Sequence, residues 1–189
     1  MPDHRRLVVT ENITANGVIE FVDDWFDPGD QDDLHDLFAV MKGQMARESG
    51  LILGRKTFEE FRGYWPHQTD DASGSAAHLN RVPKYVVSSS MRDPGWSNSI
   101  VLTGELEDEI NALKAQSGGG GELGLTGSIS VVHAVMRADL VDEYRLFVYP
   151  VLSSRGRNLM PDGLAPRQLT LADTTTFRSG IVLQVYSKP

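Results

Sequence analysis

Two hydrophobic patterns alternate along most of the chain. Short apolar segments rich in branched residues are typical of buried strands, and apolar residues spaced three and four apart are typical of helices. The predicted strands are Leu7–Thr10, Leu51–Gly54, Lys84–Ser88, Ile100–Thr103 and Leu123–Thr126. The predicted helices carry their inward faces on Leu34–Met45, Phe58–Trp65, Leu106–Leu113 and Ile129–Met136. Strands that alternate with helices indicate a parallel sheet.

The end of the chain has a different pattern. Tyr144–Val151, Gln168–Phe177 and Ile181–Tyr186 read as three strands with no helix between them, which favours antiparallel pairing. We therefore predict a single α/β domain spanning residues 1–189, with three α/β/α layers, a mostly parallel mixed sheet and antiparallel C-terminal strands. The glycine-rich segment Ser117–Gly121 is predicted to be a flexible connection within that domain.

Composition and charge narrow the functional classes. The 189 residues carry a net charge of −8, so the overall field repels a polyanion and we expect no nucleic-acid partner. No apolar run reaches the roughly 18 residues that cross a bilayer, so we expect no membrane span. The chain begins without a recognisable secretory signal and contains no cysteine, and we expect a cytoplasmic protein.

The segment Leu51–Phe58 carries the strongest chemical signal. An apolar strand ends at Gly54, and Arg55, Lys56 and Thr57 open a helix directly after it. Glycine lets the backbone approach a ligand closely, and the first amides of a helix point outward with the positive end of the helix dipole behind them. This junction predicts a phosphate site, with Arg55 as a charged fork. The alternatives are a plain strand end at Gly54 and a solvated or internally paired Arg55.

Other motifs fail on context. Residues 119–124 match GxGxxG, but they precede a strand, whereas a dinucleotide fingerprint follows a strand and opens a helix. Residues 50–57 resemble a Walker A loop with the wrong spacing, and neither a zinc-binding histidine pair nor a GxSxG elbow is present. The acidic run from Asp23 to Asp36 lacks the EF-hand pattern and favours a solvated loop, although one of its carboxylates could face a substrate. We expect no metal.

Five motifs in order resemble the dihydrofolate reductase-like family, in the branch similar to the C-terminal reductase domain of the bifunctional riboflavin-biosynthesis deaminase-reductase. They are Thr14–Gly17, Leu53–Glu59, Pro83–Ser90, Thr126–Ser128 and Asp139–Leu146, supported by Tyr149–Leu152 and Gly156–Leu159. The resemblance spans nearly the whole chain. It implies a reductase fold that binds NADPH, and it suggests a homodimer.

The resemblance also implies roles for individual residues. Gly54, Arg55, Lys56 and Thr57 match the family's phosphate-binding turn, with the arginine on the 2′-phosphate and the threonine on the pyrophosphate. The implied adenosine-side, pyrophosphate and nicotinamide positions are Ser88, Ser89 and Ser90, then Gly127, Ser128 and Ile129, then Asn16, Gly17 and Val18. The alternatives are ordinary turn serines and an ordinary helix cap at Gly127 and Ser128.

Substrate contacts are less determined than the cofactor positions. Trp25, Tyr64 and Trp65 are candidates for a ring-binding pocket, with core packing or a cleft wall as the alternative. Asn16 stands where many members carry an aspartate. An amide cannot act as a general acid or base, but it can orient a substrate or a water.

The sequence leads to two main functional hypotheses, beside a third in which the chain is a structural or regulatory scaffold that binds no ligand. The first is an NADPH-dependent reductase that transfers a hydride to an unsaturated ring or carbonyl compound, such as a pterin or a riboflavin precursor. The second, motivated by Asn16, is a non-catalytic module that binds NADP or another small molecule on the same fold.

Overall fold

The protein is described from a computed structural model that covers residues 4–22, 25–26, 34–116 and 121–189. Within these residues the strands are β1 Arg6–Thr14, β2 Glu48–Gly54, β3 Lys84–Val87, β4 Ser99–Leu102, β5 Glu122–Thr126, β6 Glu143–Tyr149, β7 Thr170–Thr176 and β8 Val182–Ser187. The helices are α1 His35–Met45, α2 Arg55–Tyr64, α3 Ser75–Arg81, α4 Leu106–Ala115 and α5 Ile129–Arg137. None of these helices is long and apolar enough to cross a bilayer.

The strands form one sheet in the order β4-β3-β2-β5-β1-β6-β8-β7. Neighbouring strands from β4 to β6 are parallel, whereas β8 is antiparallel to both β6 and β7. The predicted mixed sheet with an antiparallel C-terminal part is confirmed. Because six neighbouring strands point the same way, the turns that follow them meet at one edge.

Helices cover both faces of the sheet. On one face, the strand residues Ile52 and Leu125 pack with Ile110 of α4 and Val132 of α5. On the other, Leu51 and Leu53 pack with Phe58 of α2 and Leu79 of α3, and α1 contributes Leu37 to a cluster with Phe147 and Leu183. The alternation of Leu51, Ile52 and Leu53 between faces follows from the two-residue period of a strand. The predicted α/β/α layering is confirmed.

Two elements differ most from the sequence-based expectation. Helix α3 was not predicted, because its seven residues give too short a periodic pattern. The helix is held at its start by Asp71, whose Oδ2 accepts the Ala76 N–H at 2.7 Å. Strand β1 was predicted to end at Thr10, where polar residues interrupt the apolar run, but it continues to Thr14.

The extension of β1 creates an opening in the sheet. The pairing of β1 with β5 ends at Thr10 and Thr126, whereas the pairing of β1 with β6 continues to Thr14 and Tyr149. The chain leaves β1 toward the β4 side and leaves β5 toward the β7 side, so the two connections cross the β5–β1 boundary in opposite directions. In open α/β sheets, ligands bind at such a switch point, beyond the carboxyl ends of the strands.

Candidate functional site

Three of the predicted phosphate-binding turns lie side by side. Ser88–Ser90 follow β3, Arg55–Thr57 follow β2, and Gly127–Ile129 follow β5. These strands are consecutive neighbours in the sheet and run parallel. Adjacent strands are about 5 Å apart, so the three turns are within about 10 Å of one another along this edge. The turn Asn16–Val18 follows β1, the next strand in the sheet.

The beginnings of α2 and α5 are joined by two hydrogen bonds. The Gly54 N–H donates to Ser128 Oγ at 2.8 Å, and the Ser128 N–H donates to Thr57 Oγ1 at 3.0 Å. Ser128 is itself buried. The two helix starts therefore form one rigid unit, and the Thr57 hydroxyl, which accepts a bond here, can still donate its proton to a ligand.

Backbone conformation and close packing shape this unit. Gly127 has φ of +59° and Ser128 has φ of +47°, two consecutive residues in the left-handed region. A Cβ on Gly127 would lie 3.1 Å from Thr57 Cγ2, and one on Gly54 would lie 3.1 Å from Val131 Cγ2. Both positions are thus tight for a side chain, and Gly127 also has a backbone conformation that favours glycine.

The first turns of α2 and α5 differ in charge from the first turn of α4. Neither α2 nor α5 carries an acidic residue in its first turn, whereas α4 carries Glu107, Asp108 and Glu109 there. The unpaired amides and dipole of a helix start attract anions, and carboxylates in the first turn satisfy that attraction internally. The starts of α2 and α5 are therefore suited to an external anion, and the start of α4 is not.

The two cations of the α2 turn are at the surface. Arg55 Nη1 contacts the Glu59 carboxylate at 3.0 and 3.2 Å in an exposed pair one helical turn apart. Lys56 lies close enough to Glu20 to contribute to lowering the pKa of that carboxyl, behind the larger effect of the Arg157 hydrogen bond. A phosphate bound by Arg55 would compete with Glu59 for the same guanidinium, and an exposed pair of this kind is weak.

The serine turn after β3 divides into two parts. Ser88 is buried, and its Oγ accepts the amides of Ser90 at 3.2 Å and Met91 at 3.0 Å. That pattern is the ordinary turn role considered above as the alternative. Ser89 and Ser90 are exposed at the edge of the site. These two residues, unlike Ser88, are accessible from solvent.

Asn16 connects two loops at the end of β1. Its Oδ1 accepts the Thr14 hydroxyl at 2.8 Å and the Ser153 N–H at 3.1 Å, and its Nδ2 donates to the Ser153 carbonyl at 2.7 Å. Val18 forms a bridge to Asn158 in the same loop, and Leu159 N–H donates to the Gly17 carbonyl. In this structure both ends of the Asn16 amide hold the loop after β6 against the loop after β1.

The predicted aromatic residues are not gathered in one pocket. Trp25 is 7% exposed and packs edge-on against Tyr149, at 5.7 Å between ring centroids, within the core cluster around Leu37. Tyr64 is exposed at the last residue of α2, and Trp65 packs with the α2 cluster. A ten-residue helix is about 15 Å long, so Tyr64 and Trp65 are well separated from the Arg55 turn. Core packing accounts for both tryptophans.

The sequence did not point to Glu11, which the structure places beside the joined starts of α2 and α5, where the Gly127 backbone amide bonds to it. Its side chain is only 3% exposed, and its Oε1 has no hydrogen-bond partner among the described residues. Burial raises the pKa of this carboxyl well above 4.5, and the backbone amide of Gly127 offsets only part of the rise. In the sequence Glu11 looks like a polar residue that ends a strand, and only the packing of α5 reveals its burial.

The acidic run considered as a calcium site falls mostly outside the described residues. Its last member, Asp36, lies in the first turn of α1, where Oδ1 accepts the Leu37 N–H and Oδ2 accepts the Arg178 N–H at 3.0 Å. This is the structural role of a helix-start carboxylate. The flexible connection expected at Ser117–Gly121 also lies outside the described residues, apart from Gly121.

Comparison with known families and proteins agrees with this architecture. The model of the RibD C-terminal domain matches residues 25–183. The uncharacterised protein YyaP of Bacillus subtilis (strain 168) is 28% identical over 190 residues, which covers 96% of this chain and 94% of that protein. The sequence-based resemblance is thereby confirmed at the level of the family.

Two solved structures share the fold. One is a Shewanella sp. PV-4 protein whose name assigns it provisionally to riboflavin biosynthesis, with a TM-score of 0.76 and 20% identity over 97% of this chain and 99% of that one. The other is a pyrimidine reductase-like protein of Corynebacterium diphtheriae, with a TM-score of 0.68 and 15% identity over 98% and 92% of the two chains. The fold is thus shared by proteins of widely different sequence.

Proposed function

This chain belongs to the RibD C-terminal domain family, and from that premise we propose that it is an NADPH-dependent reductase of a small unsaturated ring or carbonyl compound. The observation that carries the proposal is the pairing of the starts of α2 and α5 at one edge of the sheet. Two hydrogen bonds through Ser128 hold these helix starts together, and neither helix has an acidic residue in its first turn. Such a unit fits a pyrophosphate.

Different residues would bind different parts of NADPH. The first amides of α2 and α5 and the Thr57 hydroxyl would hold the pyrophosphate. Arg55 and the exposed hydroxyls of Ser89 and Ser90 would hold the 2′-phosphate that distinguishes NADPH from NADH. When bound, a reduced nicotinamide supplies the hydride, and the protein supplies alignment and exclusion of water.

The proposed substrate is a planar heterocycle or quinone-like compound that meets the nicotinamide at the β5–β1 opening. Support comes from the names of the two structural neighbours, which refer to riboflavin biosynthesis and to pyrimidine reduction. Phe21 and Phe26 stack at 4.5 Å between ring centroids beside Trp25 and Tyr149, and both are partly exposed. Exposed aromatic faces of this kind favour flat ligands.

The test is a binding and turnover experiment. We expect NADPH to quench or shift the protein fluorescence with saturation in the micromolar range, and to be oxidised when 7,8-dihydrofolate, a ribosylaminopyrimidine flavin precursor or menadione is added. Absence of binding at millimolar NADPH would remove the proposal. A parallel titration with NADH measures the contribution of the 2′-phosphate.

A second function is favoured by one observation. The amide of Asn16 is occupied by Thr14 and Ser153, so it is not placed to act on a substrate in this structure. A module that binds NADPH without reducing anything would be compatible with that arrangement. Saturable NADPH binding with no oxidation across the whole acceptor panel would support this second function over the first.

A further inference from the structure

Glu11 lies at the point where the sheet opens. It is the first residue of β1 beyond the pairing with β5, which ends at Thr10 and Thr126. Side chains alternate along a strand, so Glu11 is on the same face as Leu7 and Val9, which pack against α5. The carboxyl is therefore beneath the turn Gly127–Ser128. This is the switch point, beyond the carboxyl ends of the strands, at which ligands bind in open α/β sheets.

The Glu11 carboxyl is unusual because it is buried and one of its oxygens has no hydrogen-bond partner among the described residues. Glu11 is 3% exposed, and Oε1 has no partner among the described residues. A buried carboxyl without a cation is most stable in the neutral form, and its pKa is raised by burial. A neutral carboxyl carries one O–H donor, and a buried donor without an acceptor is rarely left so in a complete site.

The charged side chains on the elements around β1 are engaged elsewhere, and burial raises the pKa of Tyr144 on β6 to about 12, so that phenol is neutral near pH 7. On β6, Arg145 pairs with Glu143 and with Glu122 of β5 at the opposite edge of the sheet. On α5, His133 Nε2 contacts the Asn158 carbonyl at 2.9 Å, and Arg137 donates to the Asp162 carbonyl. On α4, Lys114 pairs with Asp142.

Other acids near this edge are already committed. Glu20 holds Arg157 at 2.6 Å, and Glu59 holds Arg55. Asp36 accepts the backbone amides of Leu37 and Arg178. Asn16, where a carboxylate was expected from the family resemblance, cannot give up a proton near neutral pH. Among the described residues at the site, Glu11 combines a carboxyl, burial and an oxygen without a partner.

We propose that Glu11 is the proton donor of the reduction, a role that rests on the proposed reductase function. Glu11 Oε1 loses its proton to the substrate oxygen or nitrogen, while the adjacent carbon of that double bond gains the hydride of a reduced nicotinamide nucleotide. The substrate is reduced by two electrons and the nucleotide is oxidised. Solvent then returns a proton to the carboxylate.

The first test compares Glu11→Gln with Glu48→Gln. Glutamine keeps the shape and hydrogen bonding of the neutral acid but carries no acidic proton, so the variant is expected to fold. Glu48 is a mostly buried carboxyl at the opposite end of β2, bonded to His78 Nε2 at 2.6 Å, and serves as the matched control. Each protein is assayed with NADPH and whichever acceptor of the panel above the wild type reduces fastest.

We expect Glu11→Gln to lower kcat about a hundredfold or more, the usual effect of removing a general acid, with NADPH affinity within about twofold of wild type. The wild-type kcat should fall as pH rises through the raised pKa of Glu11, and that decline should be absent from Glu11→Gln. Glu11→Asp should recover part of the rate, and Glu48→Gln should behave as wild type. Wild-type kcat and pH profile in Glu11→Gln would overturn the role, as would a loss confined to NADPH affinity.

A second measurement does not depend on turnover. In protein labelled with 13C at the glutamate carboxyl, one resonance should titrate well above 4.5, be absent from Glu11→Gln and move when NADP+ is added. Titration of every glutamate in the ordinary range would overturn the proton-donor role even if the protein is a reductase. Failure of the wild type to bind or oxidise NADPH would instead remove the reductase function, and the donor role with it.

Discussion

Glu11 and Glu122 are buried to nearly the same extent on adjacent strands, yet their pKa values move in opposite directions. They are 3% and 2% exposed. Burial raises the pKa of both, but at Glu122 the hydrogen bond and charge of Arg145, together with Arg47 and Arg6, outweigh it and lower the pKa below 4.5. The difference lies in the partners, because burial alone favours the neutral form.

The two glutamates also mark the two edges of the sheet. Glu122 begins β5, and the charges around it are paired within the protein, with Arg145 Nη1 2.7 Å from Glu122 Oε2. Glu11 is at the carboxyl edge, where the backbone amide of Gly127, just before α5, hydrogen-bonds to it. Cations of the protein balance the Glu122 carboxylate, whereas none pairs with Glu11 among the described residues. This comparison predicts that changes at the first edge affect stability, whereas changes at the second affect binding and catalysis.

The largest expected effect is that of Arg145→Met. Removing the arginine leaves Glu122 and Glu143 buried without their main partner, which should lower the free energy of unfolding by about 3–5 kcal/mol. Arg167→Met is the matched control, because Arg167 pairs with the exposed Asp139 and should contribute about 0–1 kcal/mol. Urea unfolding measures both. Equal losses would break the comparison between a buried network and a surface pair.

The pH dependence of stability should distinguish the two glutamates. The native pKa of Glu11 is raised, so its contribution is fully present below 4.5 and is lost as pH rises through the native pKa. Across that range wild type should lose up to about 1.4 kcal/mol per pH unit relative to Glu11→Gln.

Glu122 should show the opposite sign. Its native pKa is lowered, so its contribution is present above 4.5 and is lost as pH falls through the native value. Urea unfolding of Glu11→Gln, Glu122→Gln and wild type over a pH series checks both slopes. Parallel curves for wild type and Glu11→Gln would show that Glu11 is charged in the native protein.

A smaller effect is expected from Gly127→Ala. Gly127 has φ of +59°, and an added Cβ would lie 3.1 Å from Thr57 Cγ2, so the variant should lose about 1–2 kcal/mol of stability and much of its NADPH affinity. Gly63→Ala is the control, because Gly63 is in α2 with open space around it and alanine there should stabilise the protein by about 0.5–1 kcal/mol. Unaltered NADPH binding in Gly127→Ala would place the cofactor elsewhere.

The smallest effect on stability is expected from Arg55→Ala. The Arg55–Glu59 pair is exposed, so unfolding should change by a few tenths of a kcal/mol. NADPH affinity should fall about tenfold and NADH affinity little, because only NADPH carries the 2′-phosphate. Glu59→Gln releases the guanidinium and should bind NADPH at least as tightly as wild type. Equal losses for both nucleotides in Arg55→Ala would contradict its assigned role.

Much of the fold could be predicted from the sequence, because strands and helices of ordinary length carry clear periodicities. Leu51–Gly54 and Ile129–Met136 are examples. The junction between β2 and α2 could also be predicted, because Gly54, Arg55 and Thr57 are adjacent or nearly adjacent in the sequence. The roles of Asn16 and Glu11 could not be predicted in the same way. The partners of Asn16 include Ser153, which is 137 residues away, and the burial of Glu11 depends on α5. Helix α3 was missed because seven residues show barely two turns of pattern.

The two hydrogen bonds through Ser128 have a kinetic consequence. Gly54, Thr57 and Ser128 are held together by hydrogen bonds within the protein. The conformational entropy of ordering these residues is therefore lost when the chain folds and not when the proposed nucleotide binds. Association at the adenylate end should therefore be a single fast step, and slower adjustment is left to the loops around the nicotinamide end.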